Sequence, residues 1–108
     1  MANPDKYTYR EEWSNEDDAY IARCLEFPSL AAHGTSPELA LAELRAVVAS
    51  VVEDLSIAGD GVPEPLGSRD YSGKLVLRLP KNVHRDAAIR AAEEGVSLNQ
   101  FLLSRLGR

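Results

Sequence analysis

Hydrophobic and polar residues alternate twice near the start of the chain. YTYREEW (7–13) sets aromatic against polar side chains, and AYIARCLEF (19–27) continues the two-residue period, with the polar SNEDD between them as a hairpin loop. A third short strand, LAAHGT, is expected after a turn at Pro28. The period then changes. Ser36 stands where an N-cap belongs, Pro37 takes the first helical position, and Glu38 sets a carboxylate in the first turn, against the positive helix end. Leu41, Leu44, Val48, Val51 and Leu55 follow at spacings of three and four. They predict a long helix, ending near Ile57, with one stripe against a sheet. Residues 1–57 therefore read as a compact βββα unit.

A second, different pattern closes the chain. In SGKLVLRLP (72–80) Leu75, Leu77 and Leu79 share one face of a strand while Lys74, Val76 and Arg78 share the other, and Pro80 ends it. A helix is expected from about Lys81 to Glu94, with Val83, Ala87, Ala88 and Ala91 apolar and Gly95 free to take the left-handed conformation that closes it. Ser97 is placed to cap a second helix, LNQFLLSRL, whose Leu98, Phe101, Leu102 and Leu106 are apolar. Between the two patterns lies AGDGVPEPLGSRDYSG (58–73), which holds four of the seven glycines and two of the six prolines. That is linker chemistry, with room for one further short strand.

A lone strand leaves its N–H and C=O groups without partners, and one strand with two short helices, about 35 residues, cannot bury a useful core. Pairing residues 74–79 antiparallel with the same segment of a second copy answers both needs by a two-fold axis. Leu75, Leu77, Leu79, Phe101 and Leu102 then form the dimer core, and Lys74, Val76 and Arg78 face outward. A two-stranded ribbon fits the major groove of DNA, where Lys74 and Arg78 can meet guanine edges or phosphates and Val76 a thymine methyl. The helix start at Val96, Ser97, Leu98 and Asn99 offers backbone N–H groups to a phosphate.

Charge sharpens this division. The net charge of −5 hides 5 Lys+Arg against 14 Asp+Glu in residues 1–70, a balance of −9, and 7 against 3 in residues 71–108, a balance of +4. The basic part has the sign that phosphate contacts require. Cys24, the single cysteine, excludes an intramolecular disulfide, and no segment has the apolar length of a membrane span or of a signal peptide core. A soluble, cytoplasmic protein is expected.

Candidate chemistry in the first part is weak. The consecutive carboxylates Glu16, Asp17 and Asp18 point in different directions along a loop, which suits solvent better than a metal ion. His33 has no nucleophile or orienting partner at a recognisable spacing, so a structural or interface role is expected. Cys24 falls in an alternating strand and reads as a small core residue. No catalytic residue, metal or cofactor is expected.

Two stretches carry a family resemblance. LRLPKNVHRDAAIRAAEEGVSLNQFLLSRL, with its LP-x-x-x-H entry and EEGVSLNQ junction, resembles the ribbon-helix-helix domain of HicB-family antitoxins over about the last 35 residues. ARCLEFPSLAAHGTSPELALAELR resembles the other hallmark of that family: a Leu-x-x-Pro-x-Leu turn, a strand ending His-Gly and a Thr-Ser-Pro-Glu helix start. The resemblance implies an α+β protein with three parts: a degenerate, non-catalytic RNase H-like domain over 1–57 that holds a toxin, a linker over 58–73, and a dimeric ribbon-helix-helix domain over 74–108. It implies as partners a HicA-like mRNA interferase, operator DNA and a second copy in a homodimer or higher homo-oligomer. The protein would be nucleoid-associated when bound to its operator, with no membrane partner. An orphan repressor of the same fold, without a toxin, is the alternative.

Overall fold

The computed structural model describes residues 3–107. Met1, Ala2 and Arg108, which begin and end the expected domains, lie outside the described residues. The chain forms two compact units, one ending at Tyr71 and the next beginning at Ser72.

The first unit is a three-stranded antiparallel sheet, in the order β1-β2-β3, covered on one face by a helix. Strand β1 spans Tyr9–Ser14, β2 Ala19–Cys24 and β3 Phe27–Gly34. The expected second strand over 19–27 ends at Cys24, three residues early, because Leu25 and Glu26 make the turn and Phe27 opens the next strand. Pro28 consequently lies inside β3 rather than before it. A proline lacks the N–H that a ladder needs, and β3 tolerates it as an edge strand. Paired residues share a face, so Tyr9, Cys24 and Phe27 lie on the helix side, as do Glu11, Ala22 and Ala32, and then Trp13, Tyr20 and Gly34.

Helix α1 spans Pro37–Ala58, and the Ser36 hydroxyl accepts the N–H of Leu39 at 3.1 Å. The expected start and cap are borne out, but the buried stripe is turned. Ala40, Leu44, Val48 and Val52 are buried, while the predicted Leu41, Val51 and Leu55 are only half-buried. The small Ala40 lets the helix approach the sheet closely. A Cβ on Gly34 would meet the Ala40 backbone nitrogen at 2.5 Å, so no larger residue fits there without moving one element.

Residues 58–71 are not a free linker. Val62 packs against the core of the first unit, Pro65 is buried, and the Tyr7 hydroxyl donates to the Pro63 carbonyl at 2.7 Å. The extra short strand foreseen here is replaced by a 3-10 turn at Leu66–Ser68. Apolar and hydrogen-bonding residues inside the Gly/Pro-rich stretch account for the difference: they complete the core that the sheet and α1 leave open.

The second unit has two helices, α2 over Lys81–Glu94 and α3 over Leu98–Leu106. Both ranges agree with expectation. Gly95 closes α2 at φ 72°, a conformation in which a Cβ is strained. Ala87, Ala91 and Phe101 form its small core, with Leu98 and Leu102 packed against it. Val83, Ala88 and Leu106, all expected on apolar stripes, are exposed. Residues 73–80 form neither helix nor strand within the chain, so the strand expected at 74–79 has no pairing partner in the described residues.

Candidate functional site

The most unusual surface lies in the second unit. Leu75 is 88% exposed and Leu77 61% exposed, and Leu103 and Leu106 on α3 are also bare. Burying one leucine side chain is worth about 1.5–3 kcal/mol, so a row of them in water is a strong drive toward association. The three core residues of this unit cannot offset that exposure. Of the residues expected in a dimer core, Phe101 is buried within the chain, Leu102 and Leu79 are half-buried, and Leu75 and Leu77 are uncovered.

Lys74, Val76 and Arg78, the expected base-contacting residues, are all exposed on the extended segment. In an extended chain their side chains alternate with those of the leucines, so the polar and apolar rows face opposite ways. The segment is set off from the first unit by Gly73 at φ 80°, and the Lys74 N–H is held by the Ser72 hydroxyl at 3.1 Å.

At the start of α3 the geometry is more specific than expected. The Ser97 hydroxyl accepts the Gln100 N–H at 3.0 Å, and the Gln100 side-chain oxygen accepts the Ser97 N–H at 3.3 Å. This reciprocal capping box satisfies two donors, and S-x-x-Q is its readable sequence signal. The Leu98 and Asn99 N–H groups, in the first turn, remain directed out of the helix start with no intrahelical acceptor. Val96, Ser97 and Asn99 are exposed and Leu98 is half-buried. Arg105, in the last turn of α3, binds Glu94 at the end of α2 at 3.1 Å while its guanidinium lies 4.8 Å from the Phe101 ring centre.

Sequence reasoning missed the polar centre of the first unit. Glu26, in the turn between β2 and β3, is 8% exposed. Its carboxylate accepts the Leu66 N–H at 2.8 Å, the Thr8 N–H at 2.9 Å and the Thr8 hydroxyl at 3.1 Å, with the Cys24 thiol at 3.6 Å. Burial alone pushes the Glu26 carboxyl up, but the Leu66 and Thr8 donors outweigh it and hold the group below the usual carboxylate range. Burial likewise raises the Cys24 thiol, which stays protonated and unreactive. Burial pushes the Tyr9 hydroxyl up to about 12, and it donates to the Pro4 carbonyl at 2.7 Å.

The acidic loop sits in solvent. Asp17 lies 3.6 Å from the exposed His33 ring, a pairing worth little at the surface. Among the described residues no group of three or more His, Cys, Asp or Glu side chains is gathered as for a metal ion, and no helix is long and apolar enough to cross a membrane.

Residues 62–106 match the model of the HicB family. The match starts at Val62, on the core of the first unit, and runs to the end of α3. Over these residues, less than half of the chain, the sequence is similar to that family. No curated protein matches the chain. No solved structure matches it either.

Proposed function

We propose that this protein is the antitoxin of a type II toxin–antitoxin pair. Its first unit, a degenerate RNase H-like domain without catalytic residues, binds and neutralises a HicA-like mRNA interferase. Its second unit pairs residues 74–79 with those of a second copy and binds operator DNA as a ribbon-helix-helix dimer, repressing its own operon. One observation carries the dimer: an extended segment with bare Leu75 and Leu77 precedes two helices that bury only Ala87, Ala91 and Phe101. An antiparallel ribbon gives its backbone groups partners and turns the leucine row under four helices. The opposite row, Lys74, Val76 and Arg78, then enters the major groove, and the α3 starts meet phosphates on either side. The match over residues 62–106 supports the family reading as a whole, and the acidic charge of residues 1–70 supports its toxin-binding half.

Light scattering and a mobility-shift assay with the DNA upstream of the gene test it together. The full chain is expected as a dimer or a higher assembly of dimers, and Leu77→Asp as a monomer that no longer shifts the DNA. Arg78→Ala keeps the dimer and weakens binding by roughly 1–3 kcal/mol for each lost base contact at fixed salt. A monomeric unmodified chain, or an Arg78→Ala variant of unchanged affinity, sinks the ribbon. The alternative, an orphan repressor, predicts the same DNA results but no small protein, encoded next to the gene, that co-purifies with the chain.

A further inference from the structure

The only tryptophan of the chain, Trp13, is 48% exposed although it stands on the helix side of the sheet. The reason is the placement of α1, whose buried residues pack on β2 and β3 and leave the outer end of β1 uncovered. Trp13 is nonetheless fixed. Its ring meets Tyr20 edge-on at 5.0 Å, and its indole N–H donates to the Asn15 side chain at 2.6 Å. Arg45 of α1 lies over the Tyr9 ring at 5.5 Å, which turns that side of the helix toward β1. Leu41, one turn earlier on the same side, is half-buried. Trp13, packed on Tyr20, thus leaves an exposed apolar patch at the end of the edge strand.

The residues around this patch are mostly acidic, and the Arg45 cation at the Tyr9 end is paired with Asp5 at 3.8 Å. Glu11 is the next helix-side residue along β1, and Glu16 and Asp18 stand in the loop to which Asn15 ties the indole. A rigid, half-exposed tryptophan inside a charged rim is the arrangement of a binding hot spot, because its large area is already ordered before the partner arrives. Charge selects the occupant. Nucleic acid is repelled, and so is a second copy of a unit that carries −9 over residues 1–70. A basic protein is attracted.

We infer that Trp13, supported by Tyr20 and rimmed by Glu11, Glu16 and Asp18, is the anchor by which the first unit grips a basic, RNA-binding protein partner. This rests on the antitoxin reading, and it names the surface that does the masking. Lys or Arg residues of the partner that would otherwise face RNA phosphates meet the carboxylate rim, while an apolar side chain covers the indole.

The test uses the full chain and the purified small protein encoded beside its gene. Trp13→Ala is expected to weaken the complex by at least about 30-fold in calorimetry, with the circular dichroism melt and DNA shift unchanged, and Trp13→Phe to recover part of the loss. Because Trp13 is unique, 5-fluorotryptophan gives one fluorine NMR signal, which should move on adding the partner. Should Trp13→Ala not fold, that signal decides alone. A partner that binds the unmodified chain but leaves the signal and the Trp13→Ala affinity unchanged overturns the anchor and spares the antitoxin reading. If that small protein does not bind the unmodified chain, the antitoxin reading falls and the anchor with it.

Discussion

Replacing Glu26 by glutamine removes one charge and keeps the shape, and its cost follows from the hydrogen bonds. The carboxylate accepts from Leu66 N–H, Thr8 N–H and the Thr8 hydroxyl at 2.8, 2.9 and 3.1 Å. A glutamine offers one oxygen and one NH2. Whichever backbone donor the oxygen keeps, the NH2 confronts the other, leaving a buried N–H opposed by a second donor. Hydrogen bonds to charged groups contribute about 1.5–3 kcal/mol each, and a stranded donor costs about 1–3 kcal/mol, so Glu26→Gln should destabilise the first unit by roughly 2–4 kcal/mol. A domain of this size has roughly 4–10 kcal/mol in total, so the loss is plain in denaturant unfolding followed by circular dichroism. Exchange protection of the Leu66 amide should fall with it. The pH dependence has a definite sign. The folded-state pKa of Glu26 is depressed, so its contribution is complete above the ordinary carboxylate value of 4.5 and is lost as pH falls below that toward the folded-state value. The unmodified chain should lose this increment on acidification through that window, and Glu26→Gln should lack it. A variant within about 0.5 kcal/mol of the unmodified chain at pH 7 would falsify the assignment of Glu26 as the tie between strand, turn and returning segment.

Two further outcomes are expected. Gly34→Ala drives a Cβ to 2.5 Å from the Ala40 nitrogen and should cost roughly 1–3 kcal/mol or more, seen as a lowered unfolding midpoint; an unchanged midpoint means the helix start can retreat freely. Ser97→Ala removes half of the capping box and should cost about 1 kcal/mol in a thermal melt while leaving most DNA affinity in place, and loss of DNA binding with no change in the melt would make the hydroxyl itself the contact.

The ends of the helices were legible because their causes are local. Ser36 with Pro37, Gly95, and Ser97 with Gln100 each act within a few residues of the backbone groups they serve, and the observed α1, α2 and α3 start where those signals stand. The existence of three strands was legible from alternation, for the same reason. What the chain alone did not decide was which of two adjacent helix faces would be buried. Leu41, Val51 and Leu55 outweigh Ala40 and Val52 in hydrophobicity, yet close approach of α1 to Gly34 demands the alanine. Glu26 was illegible for a related reason: it looks like a polar residue at a strand end until Leu66, forty positions later, returns to meet it. The same return turns a Gly/Pro-rich stretch from spacer into core. In the second unit the sequence supplied helices, caps and an alternating strand, but a strand is defined by its neighbour, and no neighbour for residues 74–79 lies among the described residues. Patterns of period two and period three to four are written by nearest neighbours along the backbone. Facing, pairing and the burial of a single charge depend on groups brought together from far apart, and only the tertiary structure holds that information.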